Sequence, residues 1–358
     1  MPSIESLGFD AALASAFTPH AGAGLVPARV SDAQRDRWHV LSAVGSLLVE
    51  VSGRLRHEAR DAAELPAVGD WVAVAARPEE GRGTIHAVLP RRTVLVRKAA
   101  GRVSAPQVLA SNVDLVLLAT ALDADWNPRR LERYLAFAWE SGAQPVVVLT
   151  KADLCPDPDA VREQAEAAAP GAPVILVSSK DGTGLDAVER ALPAGRTGVV
   201  VGSSGVGKST LVNRLLGAEV QPTREVREHD QRGVHTTTTR TLFALPGGGL
   251  LIDTPGLREL ALLDDGTGLA GAFSDLDALA ARCRFRDCAH QTEPGCAVRG
   301  AVEAGELDGE RLEAWRHLAR ESAYLARRDD KRLMSQERAR WKAIGTAGTE
   351  AMKRKRGL

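Results

Sequence analysis

No apolar run in the 358 residues approaches the ~20 consecutive residues that a membrane span needs, so no membrane partner is expected. Charge of one sign is missing as well. Forty-six Lys and Arg balance 46 Asp and Glu, and any nucleic-acid surface must come from segregation rather than overall excess. Cysteine is scarce, with four in the whole chain. Without a signal peptide, a disulfide framework is a poor reading of so few thiols. What is present suits a globular protein: 44% hydrophobic residues suffice for real cores, and the length suggests two or three domains.

The most informative stretch is Val199-Val200-Val201 running into Gly202-Ser203-Ser204-Gly205-Val206-Gly207-Lys208-Ser209-Thr210. An apolar strand, the pattern G-x-x-x-x-G-K-S/T and then a helical run (Leu211 to Leu216) make a phosphate-binding P-loop. Glycine at 202 and 207 lets backbone N–H groups turn toward phosphates at a helix N-terminus. Lys208 is placed to reach the outer phosphates, and Ser209 to offer an oxygen to Mg²⁺.

A second signal concerns the base. Pro145 to Leu149 reads as a buried strand followed by Thr150-Lys151-Ala152-Asp153, which resembles the guanine motif N-K-x-D with Thr150 in the Asn position. A carboxylate such as Asp153 accepts from both guanine N1–H and the 2-amino group, an arrangement adenine does not offer. Val174 to Val177 is another strand, ending in Ser178-Ser179-Lys180, which looks like the base-contacting S-A-K loop of GTPases. Downstream, Leu250-Leu251-Ile252 leads into Asp253-Thr254-Pro255-Gly256, similar to the D-x-x-G turn. Between P-loop and turn lies Arg232-Gly233-Val234-His235-Thr236-Thr237-Thr238-Thr239, from which Thr236 or Thr237 is the candidate to close over Mg²⁺ as the first switch.

The base-recognition loops precede the P-loop, the reverse of the ordinary order, so the domain reads as circularly permuted. Such a permutation is tolerable because the ends of α/β domains lie at the surface and often close together. The segment after Gly256 then runs directly into a C-terminal module, which nucleotide state can move. That module holds Cys283, Cys288, His290 and Cys296 within fourteen residues. Three thiols and an imidazole at this spacing point to a structural zinc site with no open position for catalysis. Cys155 lies far off and is read as an ordinary thiol.

The permuted order, the Gly-x-His-Thr-Thr loop and the Cys-Cys-His-Cys cluster together resemble the RsgA family of bacterial small-ribosomal-subunit-dependent GTPases, also called YjeQ or YloQ. The resemblance extends to Ser111-Asn112-Val113-Asp114 as the family's first strand of the nucleotide domain, to the helix from Trp126 to Tyr134, and to Val68-Gly69-Asp70-Trp71-Val72 and Leu89-Pro90-Arg91-Arg92. It implies an N-terminal OB-type β-barrel, a circularly permuted α/β P-loop GTPase domain and a C-terminal zinc-binding, mainly α domain. The boundaries read from it are a partly ordered leader over 1–30, the barrel over 31–104, the GTPase domain over 105–266 and the zinc domain with its tail over 267–358. Independently, Trp38 to Ser42, Ser46 to Val51 and Trp71 to Val74 are short strand-like runs, a pattern that does not separate an OB barrel from an SH3-like one.

Charge segregation is visible at the C-terminus. From Arg327 to Leu358 eleven basic residues face four acidic ones, with Trp341 among them and Lys353-Arg354-Lys355-Arg356 near the end. Such a tail neutralises phosphates and stacks on a base; a solvated helix with a frayed end explains the same composition, and the resemblance favours ribosomal RNA. Arg91, Arg92, Arg97, Lys98 and Arg102 form a second basic cluster, with a solvated strand face as its alternative.

Leu257 stands where many GTPases carry the glutamine that orients the attacking water, so isolated turnover is expected to be slow. His235 is the intrinsic catalytic candidate; its alternative is to order the loop or touch RNA. The expected protein is a cytoplasmic monomer that hydrolyses GTP to GDP and phosphate with Mg²⁺, carries one Zn²⁺, binds 16S rRNA and is activated by the small ribosomal subunit during late maturation. Two other classes stand beside it: a P-loop kinase of a small molecule, and a zinc-bearing RNA-binding protein in which nucleotide is structural.

Overall fold

Five strands at the N-terminus close on themselves: β1 (Val26–Gln34), β2 (Arg37–Ser42), β3 (Gly45–Val51), β4 (Trp71–Arg77) and β5 (Arg82–Val88). This is a computed structural model, and it describes residues 3–34, 36–98, 106–123, 126–220, 240–253 and 267–323. β1, β2 and β3 form an antiparallel meander, β3 pairs parallel with β5, and β4 returns antiparallel to both β5 and β1. The parallel β3–β5 pair distinguishes OB-type connectivity from an SH3-like meander, which strand patterning alone left open. Alternate residues fill the interior, among them Val30, Trp38, Val40, Leu47, Val49, Val72, Val74 and Ile85, as a period of two requires. The segment read as a partly ordered leader contains the 11-residue helix α1, Ala11–Ala21. Asp10 caps it by accepting the Leu13 N–H at 3.0 Å. Leu7, Leu13 and Phe17 are buried, and Phe9 stacks 4.8 Å from Trp71. The leader is therefore docked, and β1 starts inside the segment read as 1–30.

After helix α2 (Gly53–Glu58) and the barrel's last strands come β6 (Val94–Lys98) and β7 (Pro106–Ser111), paired with each other. The nucleotide-domain sheet follows: β8 (Leu115–Ala121), β9 (Gln144–Thr150), β10 (Val174–Leu176), β11 (Thr197–Val201), β12 (Thr241–Ala244) and β13 (Leu250–Asp253). Its order is β10-β9-β8-β11-β13-β12, parallel except for β12. All seven residues of β8 are buried, as expected of a strand covered on both faces. The nucleotide domain's first strand is thus β8, which begins immediately after the stretch 111–114 read as strand; Ser111 ends β7, and Asn112 takes a left-handed turn with φ 51°. At one further register point, Asp32 opposite Thr241, the barrel strand β1 pairs with β12.

Helices α3 (Pro128–Glu140), α4 (Pro158–Ala168), α5 (Leu185–Ala191) and α6 (Lys208–Leu216) flank the sheet. The C-terminal module contributes α7 (Thr267–Ala272), α8 (Ser274–Ala280), α9 (Ala297–Glu303) and a helix α10 over 309–323. α7 lies so close to α3 that a Cβ added at Gly268 would come within 2.2 Å of the Ala136 carbonyl oxygen, and one at Gly271 within 2.6 Å of the Trp139 ring. Arg311 of α10, 8% exposed, seals the junction. It donates twice to Asp275 at 2.7 Å and once to Glu132 of α3 at 2.9 Å, with its guanidinium 4.8 Å over the Phe273 ring. Among the described residues no helix is long and apolar enough to cross a membrane.

The barrel meets the nucleotide domain through the Val68-Gly69-Asp70 turn. Asp70, fully buried, receives two hydrogen bonds from Arg91 at 2.7 and 2.8 Å and one from Ser111 at 2.5 Å. Arg91 also donates to the Ala63 and Leu65 carbonyls, and Arg92 pairs with Asp10 at 2.5 Å. Arg91 is thus engaged by Asp70 and two backbone carbonyls and is not a solvated strand charge. Arg102 lies outside the described residues, as does the tail from 324.

Candidate functional site

Because β8, β9, β10, β11 and β13 run parallel, their carboxyl ends share one edge of the sheet, where open α/β folds bind ligands. The described positions that read as nucleotide-binding lie at or just after those ends. Gly202 to Gly207 form the loop after β11, and Lys208, Ser209 and Thr210 the first turn of α6. Thr150 ends β9, Lys151 to Asp153 form the turn after it, Ser178, Ser179 and Lys180 follow β10, and Asp253 ends β13. Gly256, Leu257, His235, Thr236 and Thr237 lie outside the described residues.

Local backbone demands explain the glycines. Gly202 has φ 156°, and a Cβ there would sit 2.2 Å from the Ala119 carbonyl oxygen, so the loop leaves the strand flush against β8. Gly207, at φ 88°, caps α6. Lys208 folds back to donate to the Gly202 carbonyl at 2.7 Å and to that of Ser203, which holds the ammonium inside the loop. The Tyr134 hydroxyl, from α3, lies 3.1 Å from Ser203 Oγ.

Thr150 is buried, and its hydroxyl donates 2.6 Å to the carbonyl of Val206. The short threonine thus ties the base-recognition turn to the P-loop, a contact not legible from the deviation at that position. Lys151, left-handed at φ 58°, extends to Asp123 with Nζ 2.8 Å from Oδ2. Asp153 Oδ1 accepts from Ser178 Oγ at 2.9 Å, so the two base-recognition loops meet directly. Arg214 of α6 donates to the Lys180 carbonyl at 3.4 Å. Sequence reasoning did not single out Asp123 or the roles of Tyr134 and Thr150; their partners are distant in the chain.

The second constellation lies in the C-terminal module. Ligand atoms of Cys283, Cys288, His290 and Cys296 all fall within 4.8 Å of one another. Cys283 Sγ is 3.7 Å from His290 Nδ1 and 4.0 Å from Cys296 Sγ, and Cys296 Sγ is 3.4 Å from Nδ1. A tetrahedron at ordinary zinc–sulfur and zinc–nitrogen lengths has edges of about 3.5–3.8 Å, so these donors fit a tetrahedral ion, with His290 offering Nδ1. Backbone N–H groups of Ala297 and Arg299 donate to the sulfurs of Cys283 and Cys296 at 3.3 and 3.4 Å, the outer support that thiolate sites use. His290, at φ 57°, packs its ring 5.4 Å from Trp315 and accepts at its carbonyl from Arg316. Glu293 braces the knuckle by accepting N–H bonds from Ala289, Gln291 and Thr292 at 2.7–3.0 Å. Hydrogen bonds from the backbone of Glu293 itself and of Gln291 hold its carboxyl at about 2. Cys155 stands apart as a free thiol.

The family profile described as RsgA GTPase matches residues 88–263. A protein of Opitutus terrae named small ribosomal subunit biogenesis GTPase RsgA is 50% identical over 351 residues, covering 96% of each chain. A Streptomyces coelicolor protein of the same name is 45% identical over 358 residues, covering 99% of this chain and 96% of that one. Among solved structures, YjeQ from Thermotoga maritima superposes with a TM-score of 0.65 at 28% identity, over 84% of this chain and 99% of that one. YloQ, described as a circularly permuted GTPase, gives 0.63 at 25% identity over 84% and 95%. With the P-loop, the base loops and the cysteine-histidine cluster in place, these matches establish that the chain belongs to the RsgA GTPase family.

Proposed function

We propose that this protein hydrolyses GTP to GDP and phosphate as a switch in late maturation of the small ribosomal subunit, and that the subunit stimulates its turnover. One observation carries the nucleotide reading: Thr150 at the end of β9, Asp153 in the turn that follows, and Ser178 after β10 are hydrogen-bonded into one frame with the P-loop carbonyl of Val206. A base held at Asp153 and phosphates held by the Gly202–Gly207 amides would therefore be positioned by one rigid unit. Asp153 accepts from guanine N1–H and its 2-amino group. Ser209 and Asp253 would hold Mg²⁺, and Lys208 would give up its two loop carbonyls for phosphate oxygens. Thr236 or Thr237 would be the further ligand to the ion, Gly256 would contact the γ-phosphate, and His235 would supply the polar group that Leu257 does not.

Zn²⁺ held by Cys283, Cys288, His290 and Cys296 is structural, since four protein ligands leave no open position. The ribosomal partner is inferred from what the relatives are named for; 16S rRNA contact and a cytoplasmic location go with that partner, and we read the protein as acting as a monomer. The deciding experiment measures GTP and ATP hydrolysis by the protein alone, with small subunits and with large subunits. Stimulation of GTP turnover by small subunits only is expected. Equal rates in all conditions, or preference for ATP, would move the function to another partner or nucleotide.

A further inference from the structure

Arg282 and the loop that follows it, between the first two cysteines of the cluster, leave unusual chemistry in water. Arg282, Arg284, Phe285 and Arg286 are all exposed, and Phe285, at 41%, is one of few large apolar side chains so exposed among the described residues. The Arg284 guanidinium lies over the Phe285 ring, 5.5 Å from its centroid. The loop is braced, not frayed: Cys283 and Cys288 tether its ends to the cluster, and the Arg284 N–H donates to the Gly295 carbonyl at 3.1 Å. A single exposed aromatic needs no explanation. An aromatic held out on a metal-tethered loop between three arginines, with only Asp287 of opposite sign, does.

We propose that residues 282–286 form an RNA-contacting finger, in which Phe285 stacks on an unpaired base and Arg282 and Arg286 neutralise the flanking phosphates. Arg284 backs the ring, so that base, phenyl and guanidinium stack in series, the arrangement by which unpaired bases in structured RNA are held. Charge selects RNA over a protein surface here, since burying Phe285 in an apolar groove would strip water from three arginines with no matching acids. The proposal rests on the small ribosomal subunit being the partner.

The test measures binding of the full-length protein to purified 16S rRNA and to intact small subunits across a range of KCl, for wild type, F285A, F285W and R286A. Bound zinc reports that each variant keeps its module folded. F285A is expected to weaken both interactions about 5- to 150-fold with an unchanged salt slope, and F285W to restore them. R286A is expected to weaken binding and reduce the slope of log K against log salt by about 0.7–0.9. Equal affinities for F285A and wild type would overturn the finger while leaving the functional reading intact. Loss of F285A binding to intact subunits but not to 16S rRNA would also overturn it, by placing a ribosomal protein against the loop. A wild-type protein that binds neither would remove the functional reading itself, and the finger with it.

Discussion

The Tyr134 hydroxyl and the Ser203 hydroxyl of the P-loop stand 3.1 Å apart. Tyr134 is buried in α3, whose two preceding residues reach the C-terminal module: Arg133 donates in a fork to Glu321 at 2.7 and 3.0 Å, and Glu132 accepts from Arg311. One helical turn thus touches both the phosphate loop and the metal-bearing module. Y134F removes only the hydroxyl. It is expected to weaken GDP binding by about 2- to 10-fold, the worth of one hydrogen bond, while the melting temperature shifts little. An unchanged affinity in titration calorimetry would show that Ser203 needs no such anchor.

Thr150 offers a sharper test. T150V keeps the shape and removes the donor to the Val206 carbonyl, leaving that group buried and unpaired, at a cost of about 1–3 kcal/mol. Chemical denaturation should read that loss, and guanine nucleotide affinity should fall with it. T150N, which restores a side-chain donor, is expected to recover most of both.

Lys208→Ala should reduce GTP turnover about 10²–10³-fold while the melting temperature changes little. Turnover at the wild-type rate would discard the P-loop assignment.

Cys283→Ser is expected to lower bound zinc from one per chain to near zero and to melt the module spanning α7 to α10, while nucleotide affinity survives. Full retention of zinc would show that the ligand set is wrong.

Glu132 carries a pH dependence. Burial raises its pKa, and Arg311 only partly offsets this. A carboxyl with a raised folded value contributes its stability below the unfolded value of 4.5 and loses it as pH climbs through the folded value. The stability of wild type relative to E132Q should therefore fall between pH 4.5 and neutrality, read by denaturant titrations at several pH values. A difference that grows with pH would contradict the burial argument.

What the chain made legible was whatever local chemistry dictates. A P-loop must carry glycine where Gly202 and Gly207 take positive φ, and a metal knuckle must space its ligands closely, so both stand out in a linear reading. The barrel was visible as alternation, but its closure was not, because the parallel β3–β5 pair leaves no mark on local pattern. The order of the leader was not legible, since its docking depends on Phe9 meeting Trp71, far along the chain, and not on local periodicity. Arg91 was read as surface charge because its partner Asp70 is 21 positions away. The Tyr134–Ser203 and Glu132–Arg311 contacts, separated by 69 and 179 positions, have no periodic signature at all.

The single register point between Asp32 and Thr241, reinforced by the Thr241 hydroxyl donating to Asp32 Oδ2 at 3.3 Å, gives the barrel a protective task. Among the described residues β12 would otherwise be an unpaired outer strand of the nucleotide sheet, a template for association with other chains. Seated against β1, that strand has its exposed ladder blunted by the neighbouring domain. A fragment beginning after the barrel would uncover it, and such a fragment is expected to aggregate where the full-length chain stays dispersed.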